Sequence, residues 1–148
     1  LTGKRFIHLE DSLNLASPKI RIFVGDYLKG KGMQGNAFHF LDLDDARWIL
    51  ADLAWGKPVE FVDYKGAMAA DRSRMLSRVL KINCHDGKVW FQVQNGTGEK
   101  IGPGAVKPAG KPDVEISVPL EILDARKMAF AALAYIQAWD IARLLKRD

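Results

Sequence analysis

The segment Leu41-Asp-Leu-Asp-Asp-Ala-Arg47 recurs 79 residues later as Leu120-Glu-Ile-Leu-Asp-Ala-Arg126. Each copy follows a strand-like run and opens a helix-like one. Each is preceded by a strand, a glycine-rich loop containing lysine, and a returning strand. This echo predicts two copies of one unit, strands followed by a helix, with repeat halves 1–56 and 57–148 within a single domain, 1–148. The fold class is then α+β: twisted antiparallel β-sheets, a helix after each strand set, and a long C-terminal helix.

The strand assignments rest on period two. In Lys19–Tyr27, Ile20, Ile22 and Val24 share one face, while Lys19, Arg21 and Phe23 share the other. Lys4–Glu10, Asn36–Leu41, Val59–Lys65, Arg78–Cys84, Lys88–Gln94 and Val114–Val118 read as further strands. His85-Asp86-Gly87 is a hairpin turn. Leu28–Asn36, with three glycines and two lysines, reads as a mobile hairpin loop. Gly66–Leu76 reads as a connector with one or two helical turns. Asn95–Asp113, with five glycines and three prolines, reads as a long loop.

Two helices complete the pattern. Ala46, Ile49, Leu50 and Leu53 give the first an apolar face. Asp42, Asp44 and Asp45 cap it, and Gly56 and Pro58 end it. The second runs from Leu120 to Lys146, with Pro119 at its start. Met128, Ala132, Tyr135, Trp139 and Ala142 form one of its stripes; Phe130, Leu133, Ile141 and Leu144 lie largely on another. One small sheet needs a single stripe, so the second predicts a homodimer through this helix. The alternative is that the chain's own two sheets absorb both stripes as a closed pseudo-dimer. Gln137, Asp140 and Arg143 interrupt the apolar run, which argues against a membrane span.

Charge and composition narrow the function. At 48% hydrophobic and 27% charged, the chain is neither disordered, collagenous nor a coiled-coil rod. Net charge is +4, but residues 1–37 and 65–111 together carry an excess of nine positive charges. That concentration points to a polyanion. One cysteine, Cys84, forms no internal disulfide and reads as a strand core residue in a reducing compartment. No signal-like apolar run opens the sequence. The expected location is cytoplasmic and nucleoid-associated, with an organelle as the alternative.

Catalysis and cofactors are not expected. Gly30-Lys-Gly-Met-Gln-Gly35 matches a dinucleotide pattern but runs into a strand rather than a helix. His8, His39, His85 and Cys84 lack metal-ligand spacing, so no metal is expected. No nucleophile and base pair stands out. The aromatics say more. Trp90 shares a strand face with Lys88, Gln92 and Gln94, and Phe23 sits beside Arg21. Large aromatics among polar neighbours on an open sheet form a base-stacking platform. His39 and Tyr64 are candidate companions, and Lys19, Arg21, Lys29, Lys31, Arg78, Lys81 and Lys88 are candidate phosphate contacts, with Gln92 beside them. Neither helix offers a basic recognition surface, so a single strand is expected over a duplex.

The order strand, basic loop, strand ending in a leucine-acidic turn, then helix, with the L-[DE]-x-x-D-A-R echo, resembles the single-strand-binding cofactor family typified by positive cofactor four. Lys19–Trp55 and Lys57–Tyr135 each carry that order. The duplicated unit resembles whirly and Pur-type proteins, and the size and basic, aromatic-bearing sheet are similar to the archaeal ThermoDBP proteins. The resemblance implies sequence-tolerant binding of single-stranded DNA, or RNA, on the sheet. The alternatives are a dimeric interaction or scaffold protein, and an enzyme whose site is assembled only in space.

Overall fold

A computed structural model of the protein describes residues 3–146. Its elements are β1 (Gly3–Ser12), β2 (Lys19–Leu28), β3 (Gly32–Asp42), α1 (Leu43–Ala54), β4 (Phe61–Met68), β5 (Met75–His85), β6 (Lys88–Gly102), β7 (Ala105–Pro108), β8 (Val114–Glu121) and α2 (Ile122–Leu145). Strands β1-β2-β3 form an antiparallel three-stranded sheet. The second sheet has five strands: β4-β5-β6, with β8 along the first half of β6 and β7 on its far end. The α+β class and the helix after each strand set are therefore as expected.

Alternation decides which face is buried. Ile20, Ile22 and Val24 of β2 point inward with Ala37 and Leu41 of β3. From the second sheet, Leu80, Ile82, Phe91, Val93, Ile116 and Val118 point inward. Ile49, Leu50 and Leu53 of α1 and Ala129 and Ile136 of α2 complete one continuous core. Both sheets and both helices share it, so burial ties the two units together.

The echo marks two equivalent strand-to-helix junctions. Asp42 and Glu121 sit just before the helices with nearly identical backbones, φ −58° and ψ 139° or 146°. The paired alanines, Ala46 and Ala125, are both buried, and small side chains there let α1 and α2 approach closely. The paired arginines are exchanged between helices. Arg47 of α1 makes two bonds to Asp140 of α2, at 2.8 and 2.9 Å, and Arg126 of α2 donates Nε to the Ala54 carbonyl at 2.9 Å. Gly56, at φ +73°, closes α1: its N–H reaches the Leu53 carbonyl at 3.0 Å and that of Lys57 reaches Asp52 at 2.8 Å.

Four local expectations are corrected. The loop at Leu28–Asn36 shrinks to a tight turn, because Gly30 and Gly32 adopt φ of +83° and +78° and β3 already begins at Gly32. The Gly66–Leu76 connector holds no helical turn. It is the end of a hairpin, closed by the Ala69 N–H on the Arg74 carbonyl at 2.9 Å. Most of the glycine-rich stretch 95–113 is strand. Gly66 and Gly98 make room for Val106 of β7, which would lie 2.3 and 2.5 Å from a Cβ at those positions, so these glycines serve close packing rather than flexibility. Pro119 belongs to β8, opposite Trp90, and α2 starts at Ile122.

Candidate nucleic-acid interface

The outer face of the three-stranded sheet is aromatic and basic. Register aligns Phe6 with Gly25, His8 with Phe23 and Phe38, and Glu10 with Arg21 and Phe40. These residues share a parity opposite to Ile20, Ile22 and Val24, whose side carries both helices. Phe6 lies 5.0 Å from His8 and 6.1 Å from Phe23, and Phe38 meets Phe40 edge-on at 5.6 Å. Gly25 makes the Phe6 position possible, because a Cβ there would sit 2.2 Å from the ring. Arg21 lies over both Phe23 and Phe38, at 5.3 and 4.3 Å, and bonds Glu10 on the neighbouring strand.

Arg78 joins this face from the other sheet. Its register partner in β6 is Asn95, whose side chain pairs with the Phe38 backbone as a strand would: Nδ2 donates to the carbonyl at 2.9 Å and Oδ1 accepts the N–H at 3.0 Å. Fixed by this contact, Phe38 receives the Arg78 guanidinium at 4.6 Å from its ring centre. Burial, joined by the charge of Arg21, pushes the Arg78 guanidinium below its ordinary value. It remains cationic at neutral pH.

Beside this lies a polar network that ties β4 to the first sheet. Lys19 and Lys65 both bind Asp42, Lys65 at 2.7 Å, and Lys65 also approaches Asp63 at 3.3 Å. Asp63 bonds His39 Nε2 at 2.7 Å. Burial would raise both carboxyls, but the His39 and Lys65 contacts at Asp63, and the Lys19 and Lys65 contacts at Asp42, outweigh it and hold both below the ordinary carboxylate value. Asp42 therefore acts as an ion-pair hub. It makes no side-chain cap bond to α1, contrary to the sequence expectation.

The twelve expected contact residues do not form one site. Lys19, Arg21, Phe23 and Arg78 gather on or beside the first sheet's outer face, with Lys29 and Lys31 in the turn at its end. Tyr64, Lys81, Lys88, Trp90 and Gln92 share the outer face of the second sheet, away from Arg78. His39 belongs to neither: β3 places it opposite Ile22 on the inner face, fully buried against Asp63. On the second sheet, Trp90 stacks on His85 at 5.1 Å with a 4° tilt. That face is nearly neutral: Lys88 lies 3.8 Å from Glu121, and Gln92 bonds Glu115 at 2.8 Å.

Sequence reasoning missed Phe6, His8, Phe38 and Phe40. The signal was the parity of Phe38 and Phe40 against Arg21 and Phe23, legible only with the hairpin register in hand. Among the described residues, no three His, Cys, Asp or Glu side chains cluster as a metal site. Cys84 packs against the core, its Sγ accepting the Val59 N–H at 3.4 Å. No protein-family model matches the chain, and no curated protein matches it.

Proposed function

We propose that the protein binds single-stranded DNA, with little sequence preference, along the outer face of the β1-β2-β3 sheet. The observation that carries this reading is the run of Phe6, His8, Phe23, Phe38 and Phe40 rings on a helix-free face, interleaved with Arg21 and Arg78. Every base has a π-face, so such a surface accepts any sequence, and arginine adds cation–π contact and phosphate attraction. The second sheet's outer face is the weaker candidate, because its glutamates offset its lysines.

The test is fluorescence anisotropy with a labelled oligothymidylate, the matched RNA and a duplex, from 50 to 200 mM salt. Binding should prefer the single strand and weaken with salt by roughly 0.7 log units per log unit for each phosphate neutralised. Phe23→Ala and Phe38→Ala should each cost about 1–3 kcal/mol, while Trp90→Ala changes little. Loss of binding in Trp90→Ala alone would move the track to the second sheet. Absence of binding at micromolar protein and 50 mM salt would refute the reading.

We also propose that two copies pair through α2, a reading compatible with the first. Of the stripe Phe130, Leu133, Ile141 and Leu144, Leu133 packs against the core, while Phe130, Ile141 and Leu144, with neighbouring Leu145, are half or more exposed. By length and composition the helix is apolar enough to cross a membrane, but Arg126, Tyr135, Trp139 and Asp140 bond it to the body along its length. An antiparallel two-fold pair would lay the exposed residues of one copy's helix against the same residues of the other, which favours a second copy as the occupant. Light scattering should give twice 16.5 kDa, and Ile141→Glu should give the monomer. A monomer for the unaltered chain at micromolar concentration would overturn this.

A further inference from the structure

We propose that Arg21 and Arg78 form a phosphate clamp beside Phe38, gripping one backbone phosphodiester where the edge of β3 packs against the second sheet. This rests on the single-strand reading above and assigns it a specific anion site.

Arg21 and Arg78 stand 4.3 and 4.6 Å from the centre of the same ring, so their guanidinium carbons are within about 9 Å of each other, the sum of those distances. Two like charges this close repel, and an anion that contacts both relieves the repulsion. Arg21 has Glu10. Lys19 and Lys65 share Asp42 and Asp63. Among the described residues, Arg78 forms no ion pair, and burial and the charge of Arg21 both disfavour its guanidinium. Of Lys19, Arg21, Lys65 and Arg78, Arg78 is the one without a carboxylate partner among the described residues. A phosphodiester carries one negative charge and presents two free oxygens to planar guanidinium forks.

The clamp is also built in position. Asn95 sits beside Arg78 in the register and holds the Phe38 backbone by two hydrogen bonds. The ring on which both guanidiniums rest is thus anchored to the sheet that supplies Arg78, so little ordering is left for binding to impose. A base stacked on the first sheet would have its phosphate at the junction.

The experiment compares the unaltered chain with Arg78→Gln and Arg21→Gln in two measurements. The first is the salt dependence of oligothymidylate binding; the second is the thermal midpoint with and without pyrophosphate at constant ionic strength. Each variant should weaken oligonucleotide binding roughly ten- to a hundredfold at 100 mM salt and lower the salt slope by about 0.7. Pyrophosphate should raise the midpoint of the unaltered chain and not that of the variants. Arg21 lies on a different strand and sheet from Arg78, so Arg21→Gln carries the test if Arg78→Gln does not fold. Oligonucleotide binding with unchanged slopes in the variants overturns the clamp and leaves the single-strand reading standing. Arginine-dependent pyrophosphate stabilisation without oligonucleotide binding supports an anion clamp and refutes the single-strand reading. Absence of both effects in the unaltered chain overturns the clamp.

Discussion

Asn95→Ala tests how the two sheets are joined at the candidate interface. The Asn95 amide makes two hydrogen bonds to the Phe38 backbone, at 2.9 and 3.0 Å, and is the side chain that pairs the exposed edge of β3 to the second sheet there. Each lost bond costs about 1 kcal/mol, and a backbone group left buried without a partner costs roughly 1–3 kcal/mol. Water can reach this half-buried site and recover part of that, so the net loss should be about 2–3 kcal/mol. With a urea slope of about 2 kcal/mol/M, the denaturation midpoint should fall by roughly 1–1.5 M. Circular dichroism with urea measures it. Oligonucleotide binding by the folded variant should also weaken, because the ring under Arg21 and Arg78 loses its anchor. A variant within about 0.5 kcal/mol of the unaltered chain would refute the claim that this contact joins the sheets.

Other consequences can be checked as directly. Asp42 and Asp63 titrate below their ordinary 3.8 in the folded chain, so their contribution to stability is complete above about pH 4–5 and is lost as pH falls through their lowered values. Urea midpoints should therefore drop steeply below pH 4, and less steeply in Asp63→Asn; equal pH profiles would contradict the network. In Gly66→Ala the new Cβ meets the body of Val106 at 2.3 Å, so the β7 hairpin should lift and hydrogen exchange should rise over residues 98–108 with the core unchanged. Gly25→Ala should displace the Phe6 ring and weaken oligonucleotide binding more than it lowers the thermal midpoint. Arg47→Ala removes a two-pronged bond to Asp140 that is about 40% exposed, so it should cost only about 0.2–1 kcal/mol by urea denaturation.

Local residue pattern determined the elements it could encode locally. Alternation in β2 and β6 named their buried faces, because a side-chain period of two leaves no other way to bury Ile20, Ile22 and Val24 together. The echo at 41–47 and 120–126 marked both strand-to-helix junctions; its arginines turned out to join the two helices and its alanines to be buried. Glycine was the misleading signal. At Gly30 and Gly32 it makes a tighter turn than its density suggested, and at Gly66 and Gly98 it admits Val106 instead of loosening the chain. The choice depends on what packs across from the glycine, which lies far away in sequence.

The candidate site was decided by tertiary structure. Arg78 and Lys81 are three apart in one strand, so their side chains leave on opposite faces, and only the packing of β3 against β5 and β6 brings Arg78 to Phe38. His39 stands between two phenylalanines and was expected on the stacking face; the register with Ile22 instead turns it inward, where Asp63 from another sheet receives it. Sequence by itself therefore determined the α+β class, the two helix-starting junctions and the concentration of positive charge. Which aromatics and cations meet was set by long-range strand register and by how one sheet's edge lies on the other, because a strand encodes which residues share a face but not what that face will touch.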